Sequence, residues 1–373
     1  RMIAVVTHKP GTTGKRYRIA TERDMEIYRQ AEEYLKEKRK KLFNEWGIDP
    51  VPDEPLPPKE SHRAVGSQLP LYKFKVWGDL FNARQKLALI TFVEKVRHVY
   101  QKMLEYGVEV EYAKAVVSYL GLSLSRMSDY FNSLCIWDNG QERTVHVFGR
   151  QALPMVWDNS ELNPISSTVG SWESMAFRRI WKVVHFLSNE IINSNPSSIV
   201  NQCSATNPPY PDNYFDAVLT DPPYYDNVNY SVLSDFFYVW LKRSLGHVYP
   251  EIFSTPLTPK KNEIVTDPYR HDSKNSAKIF FEEMLKRSFQ EIHRVLKPDG
   301  VAVIVYAHKS TAGWETLINS LLDSGLVVTG AWPINTEMKS RLQAKETASL
   351  ASSIYIVTRK VRREATGFYN EVR

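Results

Sequence analysis

Asp221-Pro222-Pro223-Tyr224 is the part of this chain whose residue types can act on a planar amine. It follows residues 215–220, a run apolar enough and short enough to be a sheet strand. The two prolines forbid both helix and further ladder pairing, so Asp221 and Tyr224 are expected at a rigid strand end. In open parallel sheets ligands bind outside the carboxyl ends of strands, where this tetrapeptide would fall. An exocyclic amine on a nucleobase is a poor nucleophile, because its lone pair is delocalised into the ring. The Asp221 carboxylate and the Pro222 carbonyl can accept both amine hydrogens and favour a more tetrahedral nitrogen, able to attack a sulfonium methyl group in line. Pro223 stiffens the turn, and Tyr224 can stack on the base for about 1–3 kcal/mol. The base must first leave the duplex, since its amine is otherwise out of reach. Holding the reactants in line can supply about 7–11 kcal/mol of such a barrier.

Other residues are candidates by position. Tyr225 and Asn227 extend the tetrapeptide and can line a base pocket, against the alternative of a surface loop. His308 and Lys309 follow the next strand and can meet a phosphate or the target strand, against the alternative of a solvated pair.

The elements that must position these groups begin at about Trp172, where helix and strand patterns alternate as in a doubly wound sheet, with the strand before Asp221 expected at its centre. Helices are predicted over 172–193, 231–245, 277–296 and 314–323. Strands are predicted over 199–203, 215–220, 301–306, 326–332 and 352–359, with a turn at Lys297-Pro298-Asp299-Gly300. Upstream, residues 1–20 read as a hairpin. Thr21 to Asp24 resembles a capping box that opens a helix to Trp46, stopped by Gly47. Five prolines in 48–60 predict a stiff linker. A helix whose buried face carries Leu89, Val93, Val96, Tyr100, Met103 and Leu104 follows, then helices over about 108–120 and 124–135. Cations such as Arg84, Lys86, Arg97, Lys102, Lys114 and Arg126 lie among aromatics here, which suits a duplex-facing surface or a scattered basic one. Three regions result: 1–60, a mainly helical accessory region over 61–171, and a catalytic region over 172–373.

At 373 residues, 43% hydrophobic and 24% charged, the chain can bury a large core. A net charge of +6 suits a polyanionic partner without establishing one. No apolar run approaches a membrane span and no signal peptide is visible at the start. Cys135 and Cys203 are too isolated for a disulfide framework or a zinc site, so a cytoplasmic setting is expected.

The stretches TDPPYYDNVNYSVLSDFFYVWLKR, GDLFNARQ, FGRQALPMVWDNSELNP and LASSIYIVTRK carry a resemblance. The chain resembles the amino-methyltransferases that use S-adenosyl-L-methionine. Within them it is similar to the C-terminal portion of large prokaryotic adenine-specific DNA methylases with an uncharacterised N-terminal region and a zinc ribbon. The resemblance implies an α/β fold: a class I methyltransferase-like doubly wound sheet, incomplete, with an antiparallel C-terminal strand, beside the helical region. It implies DNA as partner, RNA being the weaker alternative, and Asp221 beside both amine and cofactor. By position it puts Ser204 and Ala205, after the strand preceding Asp221, against the cofactor adenine. The family's glycine-rich cofactor loop and its zinc ribbon are absent, and no Gly-x-Gly occurs anywhere. The expectation is therefore an upstream segment or partner subunit that completes the cofactor site. A cytosine-amine or RNA methyltransferase, a glutamine methylase and a non-catalytic nucleic-acid-binding fragment are the competing readings.

Overall fold

The computed structural model describes residues 2–9, 11–57, 69–149, 152–166, 170–192, 198–223, 228–307, 311–334 and 353–361. It is a mixed α/β chain, with seven α-helices and a mixed four-stranded sheet among those residues. Two compact units divide it: Arg1–Ser197 with Tyr230–Lys260, and Ser198–Asn229 with Lys261–Arg373. These cut across the three regions drawn from sequence, because two helices expected in the catalytic region group with the helical unit.

The helical unit opens with the hairpin β1 (Ala4–Thr7) and β2 (Arg16–Ile19). Helix α1 (Glu22–Trp46) starts where the Thr21 N–H and hydroxyl both donate to Asp24, at 2.8 and 2.7 Å, and Gly47 ends it. Helix α2 (Ala83–Glu105) has a reciprocal cap, in which Asn82 and Gln85 each accept the other's backbone N–H. Helix α3 (Val110–Tyr130) is continuous where two helices were expected. Gly121 within it serves close packing: a Cβ there would lie 2.8 Å from the Leu245 Cδ1. Two short strands, β3 (Ile136–Asp138) and β4 (Arg143–Val145), form a second hairpin. Helices α4 (Arg178–Ile192) and α5 (Tyr230–Leu245) complete the unit. Its core joins Trp77, Phe81, Leu89, Val93, Leu124, Phe131, Phe236 and Trp240.

The proline-rich segment corrects another expectation. Residues 50–52 and 56 are buried, with Val51 and Leu56 inside the core, so this stretch is a packed strap and not a linker. Arg243 of α5 holds it. Its guanidinium donates to the Asp49 and Val51 carbonyls and to the Asp53 and Glu54 carboxylates at 2.8–3.2 Å.

In the second unit, β5 (Phe215–Thr220), β6 (Leu296–Tyr306), β7 (Leu326–Ile334) and β8 (Ser353–Lys360) lie in the order β5-β6-β8-β7. β5 runs parallel to β6, while β8 runs antiparallel to both β6 and β7, so an antiparallel strand does occur near the C-terminus. Helices α6 (Lys274–Val295) and α7 (Thr311–Asp323) supply Phe281, Leu285, Phe289, Leu317 and Leu321 to a core shared with Ile304, Tyr306 and Ile356 of the sheet.

Two corrections follow here. The strand before Asp221 is at the edge of the described sheet, not at its centre. Residues 199–203 form no strand, and Ile199 and Val200 are 68% and 93% exposed. A short apolar run becomes a strand only where a neighbour completes its ladder, and these residues pair with none among the described ones.

β6 also begins earlier than expected. Its register with β5 passes from Phe215↔Leu296 to Ala217↔Val301, so residues 297–300 stand as an irregularity inside the strand. Gly300 is needed there: a Cβ would sit 2.7 Å from the Leu296 Cδ1 and 3.0 Å from the Asp216 carbonyl oxygen. Gly300→Ala is expected to cost about 1–3 kcal/mol, the usual penalty of overpacking. Urea unfolding checks this, and a change below about 0.5 kcal/mol, within the range of ordinary surface substitutions, would mean that β5 moves aside freely.

Candidate functional site

Asp221 is exposed and directly follows β5, with Pro222 and Pro223 half-buried behind it. No hydrogen bond or ion pair joins its carboxylate to any described residue, which leaves both oxygens available to a ligand. Because β5 and β6 are parallel and Thr220 lies beside Ile304, Asp221 leaves the sheet at the end where β6 finishes. That end of β6 is anchored by Tyr306, fully buried, whose hydroxyl donates to the Gly313 carbonyl at 3.3 Å and whose ring meets Trp314 edge-on. Tyr224, Tyr225, Asn227, His308 and Lys309 lie outside the described residues. The parallel register nonetheless brings both loop departures, after Thr220 and after Tyr306, to one end of the sheet.

Ser204 and Ala205 occupy an exposed turn rather than a strand end. The Ser204 Oγ accepts from the Thr206 N–H at 3.2 Å, and the Ser204 carbonyl accepts from the Asn207 N–H at 3.0 Å. The polar groups of Ser204 are thus engaged in local turn bonds.

Sequence reasoning missed one bonded set of residues in the second unit. Asn229 donates through Nδ2 to the Asp267 Oδ2 at 3.1 Å, and Asp267 pairs with Arg270, which also pairs with Glu263. The segment reads as a loop rich in proline and lysine, and a pair 38 positions apart leaves no local signature.

Several cations expected on a duplex-facing surface are engaged within the helical unit. Arg84 pairs with Glu161 at 2.9 Å, and Lys102 and Lys114 pair with Glu105 and Glu111 on their own helices. Arg97 lies over the Trp46 ring and donates to the Arg243 carbonyl, while Arg126 lies over Tyr130. Burial lowers the pKa of Lys86.

Burial pushes the Cys135 thiol up to about 12, so it stays protonated and unreactive at neutral pH. No group of three or more metal-ligating side chains occurs among the described residues, and no described helix is long and apolar enough to cross a membrane. A shallow depression lined by Pro298, Asp299, Val327, Thr329, Arg359 and Lys360 lies at the opposite end of the strands from Asp221. Location at the carboxyl end of a parallel strand is the better guide to a ligand site than concavity alone, so Asp221 marks the candidate site.

No family model matches the chain, and neither the curated proteins nor the solved structures contain a match.

Proposed function

We propose that this chain binds DNA and presents the exocyclic amine of a flipped base, adenine first, for methylation by an S-adenosyl-L-methionine-dependent amino-methyltransferase reaction. The observation that carries the reading is Asp221: an exposed carboxylate without a partner among the described residues, between a parallel strand and two prolines. It sits at the sheet end from which the β6 loop also departs. The antiparallel β8 inserted between β6 and β7 adds support, since the resemblance implies such a closing strand.

In this reading the Asp221 carboxylate accepts one amine hydrogen and the Pro222 carbonyl the other. Both oxygens face the positive charge that develops on the nitrogen, and a fixed dipole or charge at such a point needs no reorganisation as the reaction proceeds. The prolines hold this pair rigid.

The described residues do not fit the methyl donor. Ser204 and Ala205 are in a solvent-exposed turn, the hydroxyl and carbonyl of Ser204 are locally bonded, and 199–203 is not a strand. The proposal therefore concerns the amine, and no step is derived through the donor.

Titration tests both halves. This chain is expected to bind S-adenosyl-L-methionine weakly or not at all by calorimetry, because close approach of backbone to the cofactor requires a glycine-rich turn that the sequence lacks. Its DNA affinity should fall steeply with added salt, the logarithm of the constant dropping by about 0.9 per phosphate contacted for each tenfold rise in salt. Low-micromolar cofactor binding would mean that the site is complete without such a turn. DNA binding that is absent or indifferent to salt would remove the nucleic-acid reading.

A further inference from the structure

Hairpin β1–β2 carries charge of one sign. Residues 2–20 include Lys9, Lys15, Arg16 and Arg18 and contain no aspartate or glutamate. The register sets Val5 opposite Arg18 and Thr7 opposite Arg16, with Val6 opposite Tyr17. Side chains alternate along a strand, so Thr7, Arg16 and Arg18 share one face and Tyr17 stands on the other. The Tyr17 face is anchored within the helical unit. Tyr17 meets the Trp137 ring edge-on, with centroids 6.2 Å apart, and its hydroxyl donates to the Glu142 Oε1 at 2.6 Å. Lys15 lies over the same Trp137 ring at 4.9 Å, and Arg18 pairs with Asp24 at 2.6 Å. A two-stranded hairpin is marginal by itself, so these contacts hold it in place. Between the strands the chain turns where the Thr12 N–H and hydroxyl both donate to the Lys9 carbonyl, at 3.2 and 2.7 Å. Gly11 and Gly14 take the left-handed φ values of 78° and 79° that this turn needs.

Lys9 and Arg16 differ from the other cations. Both are exposed, and neither side chain pairs with a carboxylate or an aromatic ring among the described residues. Lys102 and Lys114, by contrast, are paired on their own helices. A ribbon of two strands fits the major groove of duplex DNA, which is about 12 Å wide. Cations without carboxylate partners can displace the counterions held by its phosphates. We propose that β1–β2 enters the major groove of duplex DNA, with the Thr7–Arg16 face turned to the duplex and Lys9 and Arg16 against phosphates. The Tyr17 face fixes the hairpin to the helical unit. Such contacts set the position of the protein on the duplex and carry no base sequence directly. This rests on the reading of the chain as a DNA-binding protein.

Fluorescence anisotropy of the whole chain on a short labelled duplex of mixed sequence, at salt from about 50 to 200 mM, tests the hairpin. The double variant K9Q/R16Q should weaken binding about ten- to a hundredfold at about 0.1 M salt, and should lower the slope of log K against log salt by about 1.8, the share of two phosphate contacts. The variant K36Q/K40Q, which removes two exposed charges from α1, should change both quantities far less. Equal losses in the two variants would make net charge the cause and overturn the role of the hairpin. Unchanged affinity in K9Q/R16Q beside a parent that binds would overturn it too, while leaving the DNA reading intact. A parent that binds no duplex sinks the DNA reading itself. Guanine N7, an acceptor of the major groove, should be protected from dimethyl sulfate by the parent and less so by K9Q/R16Q; N7 left open in the parent complex overturns the groove placement. Single-stranded DNA or RNA that competes as well as the duplex would overturn the duplex as occupant.

Discussion

Replacing Asp221 by alanine is expected to lower methyl transfer to DNA by about 10²–10³-fold, the usual cost of losing one preorganised polar group at a reacting centre. The assay is transfer of labelled methyl groups to unmethylated DNA, by this chain with a cofactor-binding segment supplied. Folding should be almost untouched. Asp221 is exposed and bonded to no described residue, so the change should stay within about 1 kcal/mol of the parent in urea unfolding. The combination is diagnostic. A carboxylate that merely capped the end of β5 would alter stability and leave transfer intact. Near-normal transfer by Asp221→Ala, or unfolding caused by it, would end the assignment. A non-catalytic nucleic-acid-binding role predicts that DNA affinity is the same in parent and variant and that neither transfers methyl groups. Replacing adenine by cytosine, or DNA by RNA, in the same assay separates the remaining enzymatic readings.

Arg243→Ala should be the most damaging single change to the helical unit, by about 3–5 kcal/mol, the range for breaking a buried ion pair on one side. The side chain is 2% exposed. It joins α5 to residues 49–54 through two backbone carbonyls and two carboxylates, and it also donates to the Val239 carbonyl at 2.8 Å. Removing it strands the Glu54 carboxylate, itself only 10% exposed. Arg243→Lys should cost nearly as much, because a single ammonium cannot reproduce the planar fork that reaches partners on several sides. Urea unfolding followed by tryptophan fluorescence reports on this directly, since Trp77 and Trp240 lie in the same core. A loss below about 1 kcal/mol would place Arg243 among ordinary surface changes and would show that residues 49–56 are held by apolar packing alone.

The sequence by itself determined the elements whose signals are local. β5 spans the expected residues 215–220, because apolar composition and two terminal prolines bound a strand from within. α1 starts at its Thr21–Asp24 cap and ends at Gly47, α5 starts one residue before the expected position, and both closing strands were legible. The place of Asp221, exposed at a strand end, was legible for the same reason: the rigidity that puts it there belongs to its immediate neighbours. What only the tertiary structure decided depends on partners far along the chain. The two helices read over 108–120 and 124–135 are one, and Gly121 within it packs against Leu245. Five prolines read as a linker until Arg243 is seen to hold the segment between them. Residues 199–203 have the composition of a strand but no neighbour among the described residues to complete a ladder, so Ser204 and Ala205 fall in an exposed turn. Asn229 meets Asp267 only because 263–270 folds back on the core beneath the sheet, a pairing that periodicity and caps cannot encode.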